Sequence, residues 1–242
     1  MRAASRRGSQ PLGLGCRRPE RSSHLSTTER KGTEVRYLVF SASLRTHPLN
    51  SRIADLAADA IESKGGHVNR ASMKNFDAPS FNGDNQDRDG FASGAVEFRR
   101  QLERCDAFVI SAPEYNASMP GHLKNAIDWV SRFSPQPLTE LHGLLMSASP
   151  SMSGGNRGLW ALRIPLEHLG ARIYPDMFSL AQADQAFDDQ GRLAKQELSR
   201  RFDHNVASFM SLVEASVHYP CAKKAWVEFL GEQPSLSGDR VE

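Results

Sequence analysis

The amino-acid sequence predicts a three-layer α/β sandwich built on a five-stranded parallel sheet of strand order 2-1-3-4-5. Apolar runs rich in β-branched and aromatic residues alternate with longer segments of helical periodicity, which is the pattern of successive βαβ units. The apolar runs are continuous rather than alternating, as is typical of strands buried on both faces. With 242 residues, 39% of them hydrophobic, the chain can also bury a core of the size that this fold needs.

The first half of the predicted domain contains three strands. The helix after the first strand has apolar residues at i, i+3, i+4 and i+7, and a pair of glycines ends it. A long polar stretch is expected to form a loop, and loops of that length are usually functional or mobile. In chain order, the predicted elements are a strand at 35–40, a helix with its apolar stripe at 53–61, a strand at 67–73, the polar loop at 75–90, a helix ending near Arg104 and a strand at 107–111.

The second half continues the alternation. A proline stands at the favourable first turn of one helix, whereas another proline falls inside a later helix and is expected to kink or split it. In chain order, the predictions are a helix from Pro120 with its stripe at Leu123, Ile127 and Val130, a strand at 143–149, a helix from Leu159 that contains Pro165 and is closed by Gly170, a broken fifth strand at 172–180 and a last helix at 198–213.

The chain divides into a central domain and two extensions. Residues 1–33 are predicted as a basic, disordered N-terminal extension, residues 34–216 as the α/β domain and residues 217–242 as a C-terminal extension. A transit peptide, a basic contact arm and an upstream mis-start of translation remain alternatives for the first segment. Residues 1–31 hold eight basic and two acidic residues, which leaves 22 basic against 26 acidic residues elsewhere, a net charge of −4. The mildly acidic remainder makes nucleic acid an unsuitable partner.

Composition excludes several other classes of protein. No apolar run is long enough to cross a bilayer, so no membrane association is expected. Cys16, Cys105 and Cys221 are too few and too scattered for a disulfide framework or a structural zinc site, so we expect a cytoplasmic protein without metal. The motifs HExxH, GxSxG and GxxxxGK[ST] are absent, and the isolated His122 and His204 are interpreted as surface or helix-packing residues.

Two unusual loops follow the first and third predicted strands, and a parallel sheet of this order binds ligands between those strands. In the first loop, Ser43, Arg45 and Asn50 offer a hydroxyl, a guanidinium and an amide just before a helix start, a combination suited to phosphate. The alternative is a turn serine, a solvated charge and an ordinary helix cap.

The loop after the third strand contains Pro113, Glu114, Tyr115 and Asn116, whose polar and aromatic groups could face a flat ligand. Its alternative is a proline-stiffened turn in which the tyrosine only packs. A third loop, residues 149–155, ends in two glycines that would let the backbone approach a ligand closely, or it is simply a flexible connection.

One segment carries a specific resemblance. Residues 113–129, PEYNASMPGHLKNAIDW, resemble the signature of the NADPH-dependent FMN reductase family, which has the flavodoxin-like fold and includes quinone, chromate and azo-dye reductases. Weaker matches are SLR with Asn50, SGGNRG at 153–158 and FDDQGRL at 187–193. The resemblance spans about residues 35–213 and leaves out both ends.

The resemblance implies FMN as the cofactor and NADPH or NADH as the hydride donor. It implies hydride transfer to flavin N5, then electron transfer to a quinone-like or other small acceptor, with no catalytic side chain required. It also implies a homodimer or homotetramer, with the helix that carries Asp128 and Trp129 at the subunit contact. Carried over by position, Ser43, Arg45 and Asn50 would hold the phosphate, Pro113, Glu114, Tyr115 and Asn116 would line the ribityl chain and isoalloxazine, and Ser149, Gly154, Gly155 and Arg157 would lie near the pyrimidine side or the nicotinamide.

The chain departs from the family pattern at two positions. Ala42 stands where the family usually has glycine, and Pro48 stands where it usually has a phosphate-contacting serine, for which Ser51 or Thr46 could substitute. These departures bear on FMN affinity. The alternative function is that of a flavodoxin-like electron carrier or sensor that does not itself catalyse a reaction. A third hypothesis is a scaffold that has lost the ability to bind flavin. The preference between NADPH and NADH, the acceptor and the tightness of FMN binding stay open.

Overall fold

The computed structural model describes residues 34–46 and 48–218. The predicted extension at 1–33 and nearly all of that at 217–242 lie outside the described residues, so those two assignments stay predictions. Strands and helices alternate in the order β1 (Arg36–Ser41), α1 (Leu49–Ser63), β2 (His67–Ser72), α2 (Gly83–Asp89), α3 (Ser93–Glu103), β3 (Ala107–Ser111), α4 (Gly121–Val130), β4 (His142–Ala148), α5 (Asn156–His168), β5 (Arg172–Ile173), β6 (Phe178–Leu180) and α6 (Gln196–His218).

The sheet is parallel and has the order β2-β1-β3-β4-β5, which confirms the predicted topology. The fifth strand is broken as predicted, because β5 pairs with the start of β4 and β6 pairs with its end. Strand β1 pairs with β3 along its length, with Tyr37 opposite Ala107 and Ser41 opposite Ser111. The carboxyl ends of β1, β3 and β4 therefore meet at one edge of the sheet.

Each face of the sheet carries its own core, which completes the three layers. On one face, residues such as Phe40, Phe108 and Leu145 pack against α3, α4 and α5. On the other face, residues such as Val39 and Val109 pack against α1 and α6. The continuous apolar runs in the sequence are explained by this arrangement, since every residue of β3 and β4 is buried.

The prediction of a loop over residues 75–90 was wrong. A 3₁₀ turn covers Met73–Phe76, and α2 occupies most of the remainder. Helix α2 has no buried residue and therefore no apolar period, which is why periodicity missed it. Its local signals were present: Asn82 Oδ1 caps the helix by accepting from the N–H of Asp84 at 2.8 Å, and Gly90 ends it with φ +78°.

Three further features of the described chain bear on the predictions. Pro165 lies inside α5, yet the helix runs unbroken from Asn156 to His168, so the expected split does not occur. Cys105 is buried, and burial raises the pKa of its thiol to about 12, which leaves it unreactive at neutral pH. None of the helices in residues 34–46 and 48–218 is long and apolar enough to cross a membrane.

Candidate functional site

The first loop, residues 42–48, joins β1 to the start of α1. The Ser43 N–H lies 3.3 Å from Ser41 Oγ, and Ser43 Oγ lies 3.4 Å from the Arg45 N–H. The side chain of Arg45 is exposed and takes part in none of the ion pairs formed among the described residues. A hydroxyl and an uncommitted guanidinium are therefore held next to a helix start.

Helix α1 begins without a side-chain cap. Pro48 precedes it in an extended conformation, and the first turn contains no acidic residue. The N–H groups at such a helix start carry partial positive charge and attract anions. The first loop and this helix start therefore offer a phosphate three kinds of donor, which are the Ser43 hydroxyl, the Arg45 guanidinium and backbone N–H groups.

Asn50 lies in the first turn of α1 and is almost fully buried. Its Oδ1 accepts from Ser111 Oγ at 2.9 Å and from the Ala148 N–H at 3.0 Å, and its Nδ2 donates to the Ala148 carbonyl at 2.9 Å. Asn50 is therefore not the cap of α1. Instead, its side-chain amide connects the start of the helix to the ends of β3 and β4 by hydrogen bonds.

Ala42, where the family pattern has glycine, causes no backbone strain. It is not among the residues with positive φ, and its side chain is completely buried. Its N–H donates to the Ser111 carbonyl at 2.8 Å, which continues the pairing of β1 with β3 by one residue. The alanine therefore suits the tight path of the chain at this position.

The second loop, residues 112–120, joins β3 to α4 and folds back on itself. The Tyr115 N–H donates to the Ser118 carbonyl at 2.9 Å, and the Ser118 N–H donates to the Tyr115 carbonyl at 3.0 Å. Between them, Asn116 and Ala117 have φ of +51° and +62°. Positive φ at both central residues defines a type I′ turn, which asparagine tolerates and alanine does not favour. This tight turn leaves the Tyr115 ring 42% exposed.

Glu114 locks the second loop to the start of α5. Its side chain is only 8% exposed, and Oε1 accepts from Arg157 Nε and Nη2 at 2.9 and 2.5 Å. Oε2 accepts from the Gly158 N–H at 3.1 Å. Burial opposes ionisation of Glu114, but the hydrogen bonds and charge of Arg157 and the Gly158 N–H outweigh it, so the pKa of the carboxyl lies below its ordinary value. The two predicted site residues Glu114 and Arg157 are thus brought together.

The third loop, residues 149–155, lies beside this lock. Ser149 Oγ is 3.0 Å from Ser151 Oγ, so its hydroxyl already has a partner within the loop. Gly155 has φ +83°, and a Cβ added there would lie 2.0 Å from Ser147 Oγ. The local structure therefore requires glycine at position 155 whether or not a ligand binds there, because the backbone is left-handed and packed against β4.

Sequence reasoning assigned no role to His122, which the structure places between two of these loops. The ring extends from the first turn of α4 to the first loop, where Nε2 lies 2.7 Å from the Ala42 carbonyl oxygen. Ser111 was missed as well, although it fixes Asn50. A polar residue at the end of an otherwise apolar strand was the signal for Ser111. Nothing in the local sequence distinguished His122 from a packing histidine.

A cavity of about 220 Å³ lies between α1 and the carboxyl-terminal halves of β1 and β2. Ser43 and Ser51 stand among its lining residues, and Arg70 extends across it. Arg70 is bonded at 2.7 Å to Asp59 and to Glu62, with Asp55 at 3.8 Å. Three carboxylates surround one guanidinium, so this cavity is less suited to a phosphate than the first loop is.

Comparison with known proteins adds to this geometry. Residues 35–185 match the family model described as NADPH-dependent FMN reductase. The chain is 34% identical over 161 residues to an NAD(P)H-dependent FMN reductase of Pseudomonas aeruginosa, a match that covers 66% of this chain and 85% of that protein. It is 40% identical over 97 residues to a quinone reductase of Escherichia coli strain K12, which covers 40% of this chain and 52% of that protein.

Among solved structures, the chain is similar to FerB, a flavoenzyme NAD(P)H:(acceptor) oxidoreductase from Paracoccus denitrificans. The TM-score is 0.64 at 22% identity, and the superposition covers 74% of this chain and 97% of that one. At that identity the likeness shows the fold, which agrees with the sheet order and layers described above.

Proposed function

The chain belongs to the NADPH-dependent FMN reductase family, and from that premise we propose that it passes electrons from NAD(P)H through FMN to a small quinone-like acceptor. Membership makes it a flavin-dependent oxidoreductase that uses FMN with NAD(P)H as donor. The proposal adds where the cofactor binds, which residues hold it and what class of acceptor is reduced.

One observation carries the proposal: the first and second loops lie side by side at the carboxyl ends of β1 and β3. Position 42 is hydrogen-bonded to Ser111 at the end of β3, so the two loops leave the sheet from adjacent points. The uncapped start of α1 follows the first loop, and the exposed Tyr115 belongs to the second loop. FMN joins a phosphate to a planar ring through a ribityl chain, so each loop can take one end of it.

The residues present fit FMN. We assign the phosphate to Ser43, Arg45 and the first N–H groups of α1, whose charge and direction favour an anion. Pro48 stands where the family usually has a serine, and we assign the missing hydroxyl to Ser51 in the first turn of α1. Asn50 holds the start of α1 in place beside the proposed phosphate site through its hydrogen bonds to Ser111 of β3 and Ala148 of β4.

We assign the isoalloxazine and ribityl chain to residues 113–116 of the second loop and to Ser149 of the third loop. The exposed Tyr115 ring offers an aromatic face, and Asn116 offers an amide at the tip of the turn. Glu114 contributes mainly by holding this loop, since both of its oxygens already accept hydrogen bonds. Arg157 keeps a 66% exposed side chain, which leaves part of its guanidinium available to an anionic group.

The chemistry that bound FMN supplies is acceptance of a hydride at N5 from NAD(P)H and delivery of electrons to the acceptor. The protein's role is to bind the flavin and to leave one face of the isoalloxazine open to NAD(P)H and the acceptor. No side-chain acid or base is needed for hydride transfer, so we assign no catalytic residue.

Anaerobic titration of the flavin-loaded protein tests this proposal. We expect NADPH or NADH to bleach the flavin absorbance, and subsequent addition of a quinone to restore it. Steady-state oxidation of NAD(P)H by catalytic amounts of protein with the quinone should follow. If the flavin binds but neither nucleotide reduces it without a separate reductase, the protein is an electron carrier and the proposed activity is wrong. If the purified chain binds no FMN, the site assignment fails as well.

We also propose that the protein is a homodimer or homotetramer. Trp160 and Ile164 lie one turn apart on the outer side of α5 and are 54% and 71% exposed. Neighbouring exposed apolar side chains are a feature of interaction surfaces when they form a contiguous patch. Trp129, by contrast, is buried by Phe81 and Phe91 of its own chain. Light scattering of the wild type and of Ile164→Glu tests this. A monomeric wild type would contradict it, whereas dissociation by the variant would place α5 in the contact.

A further inference from the structure

The His122 side chain connects the two loops to which the proposed function assigns opposite ends of FMN. It is the second residue of α4, and α4 follows directly from the second loop. Its Nε2 lies 2.7 Å from the carbonyl oxygen of Ala42, the residue immediately before Ser43. A rigid helix start beside one end of the site is therefore bonded to the backbone that leads into the other end.

The chemistry of this contact fixes which atom carries the proton. A carbonyl oxygen only accepts, so Nε2 must be protonated and donate. Ala42 is completely buried, and its N–H is already bonded to Ser111 at 2.8 Å. With the carbonyl held by His122, the peptide groups on both sides of Ala42 have fixed directions. A buried carbonyl that lost this donor would have to turn toward another partner.

The direction of the Ala42 peptide sets the path of the residues that follow. Beyond it, within the part of the loop that the structure describes, two side chains accept hydrogen bonds from the backbone. Ser41 Oγ accepts from the Ser43 N–H at 3.3 Å, and Ser43 Oγ accepts from the Arg45 N–H at 3.4 Å. Leu44 and His122 also line the same small space beside α4, so His122 lies next to the first loop at Leu44 as well as at Ala42. Among the described residues, the shortest side-chain hydrogen bond to the start of this loop is therefore the one that His122 makes.

We propose that His122 is a positioning residue that sets the phosphate-binding conformation of the first loop without touching FMN. This inference rests on the proposed function, in particular on Ser43 and Arg45 as phosphate donors. It makes a specific demand: loss of the His122 donor weakens binding of a flavin that has a phosphate and leaves a flavin without one almost unchanged.

The test compares the dissociation constants of FMN and riboflavin, measured by flavin fluorescence quenching on folded protein. For His122→Leu we expect FMN affinity to fall about 3- to 10-fold, the value of one hydrogen bond, and riboflavin affinity to change less than about 2-fold. For His122→Gln, whose amide can donate to the same carbonyl, we expect most of the FMN affinity to return. His204→Leu on the exposed side of α6 is the matched control and should alter neither constant.

Three results would overturn the inference. Equal losses for FMN and riboflavin in His122→Leu would show a general structural role. An unchanged FMN constant would show that the contact does not matter to the loop, and failure of His122→Gln to restore affinity would exclude the donor as the cause. If His122→Leu does not fold, His122→Met gives the same apolar comparison with a more adaptable side chain. A wild type that binds both flavins equally would instead refute the phosphate site of the proposed function.

Discussion

The first and second loops stand side by side at the same edge of the sheet, yet they are held in different ways. The second loop is fixed by its own type I′ turn, and its Glu114 accepts three hydrogen bonds from the start of α5. The first loop is fixed at its base by Ala42 and carries the exposed, uncommitted Arg45 further along.

Under the proposed function, this difference gives the two loops different roles in binding FMN. The second loop is preorganised, so it would bind the isoalloxazine at little ordering cost. The first loop keeps its charged donor free, so a bound phosphate would complete the contacts there. Changes to the second loop should therefore appear first in protein stability, whereas changes to the first loop should appear first in FMN affinity.

The largest expected effect on stability comes from Gly155→Ala, beside the Glu114 lock. A Cβ at 155 would lie 2.0 Å from Ser147 Oγ, and φ is +83°. Backbone strain and the steric clash should together lower the free energy of unfolding by about 3 kcal/mol, measured by denaturant titration.

Gly191→Ala is the matched control for this change. Its φ is +78°, but nothing lies within 4 Å of the added Cβ. It should cost only the left-handed penalty of about 1 kcal/mol. Equal losses at the two positions would mean that the third loop is not tightly packed against Ser147 of β4.

Arg45→Ala tests the free charge of the first loop. Hydrogen bonds from a guanidinium to phosphate are charge-assisted, so FMN affinity should fall about 10- to 100-fold while riboflavin affinity and protein stability stay nearly constant. Fluorescence titration gives both constants. Arg88→Ala, an exposed arginine already paired with Asp89 on α2, should have no effect. A loss shared equally by the two flavins would place the phosphate elsewhere.

Glu114→Gln tests the lock. The amide cannot accept at both ends, so we expect the free energy of unfolding at pH 7 to fall by about 1–2 kcal/mol. The folded-state pKa of Glu114 lies below its ordinary value, so its contribution is present above the unfolded pKa of about 4.3 and is lost as pH falls through the folded pKa. Wild type and variant should therefore converge on acidification.

The control for the lock is Glu103→Gln, which weakens an exposed pair with Arg99. Such surface pairs contribute little, so a loss below about 0.5 kcal/mol is expected. If Glu114→Gln costs no more than this control, or if its deficit does not shrink at low pH, the carboxylate is not what holds the second loop.

The smallest expected effect concerns the turn at the tip of the second loop. Ala117 has φ +62°, which glycine adopts freely, so Ala117→Gly should raise the free energy of unfolding by about 0.5 kcal/mol after the entropy cost of glycine. Ala60→Gly inside α1 should lower it by about 1 kcal/mol. If both substitutions lower the free energy of unfolding, Ala117 is not strained in this turn.

The sequence made most of this fold predictable because buried strands and amphipathic helices leave periodic patterns. Strand β3 and the stripe of α4 follow directly from such patterns, whereas α2 has no buried face and therefore leaves no apolar period in the sequence. The candidate site was predictable to the level of its loops, since its location depends only on strand order and on residue types that suit phosphate and an aromatic ligand.

The partners of the site residues were not predictable in the same way. Asn50 meets Ala148, which is 98 residues away, and Glu114 meets Arg157, which is 43 residues away. Such pairings depend on how the layers stack, and no local pattern encodes them. The flavin contacts of Ser43, Arg45 and Tyr115 themselves stay predictions until a flavin complex is measured.

A crystal structure of the protein with FMN tests the central assignment most directly. We predict the phosphate against Ser43, Arg45 and the start of α1, the isoalloxazine beside Tyr115, and a second loop that keeps its Glu114–Arg157 contact. A flavin whose phosphate contacts neither Ser43 nor Arg45, or a structure in which the two loops hold no flavin at saturating FMN, would contradict the account.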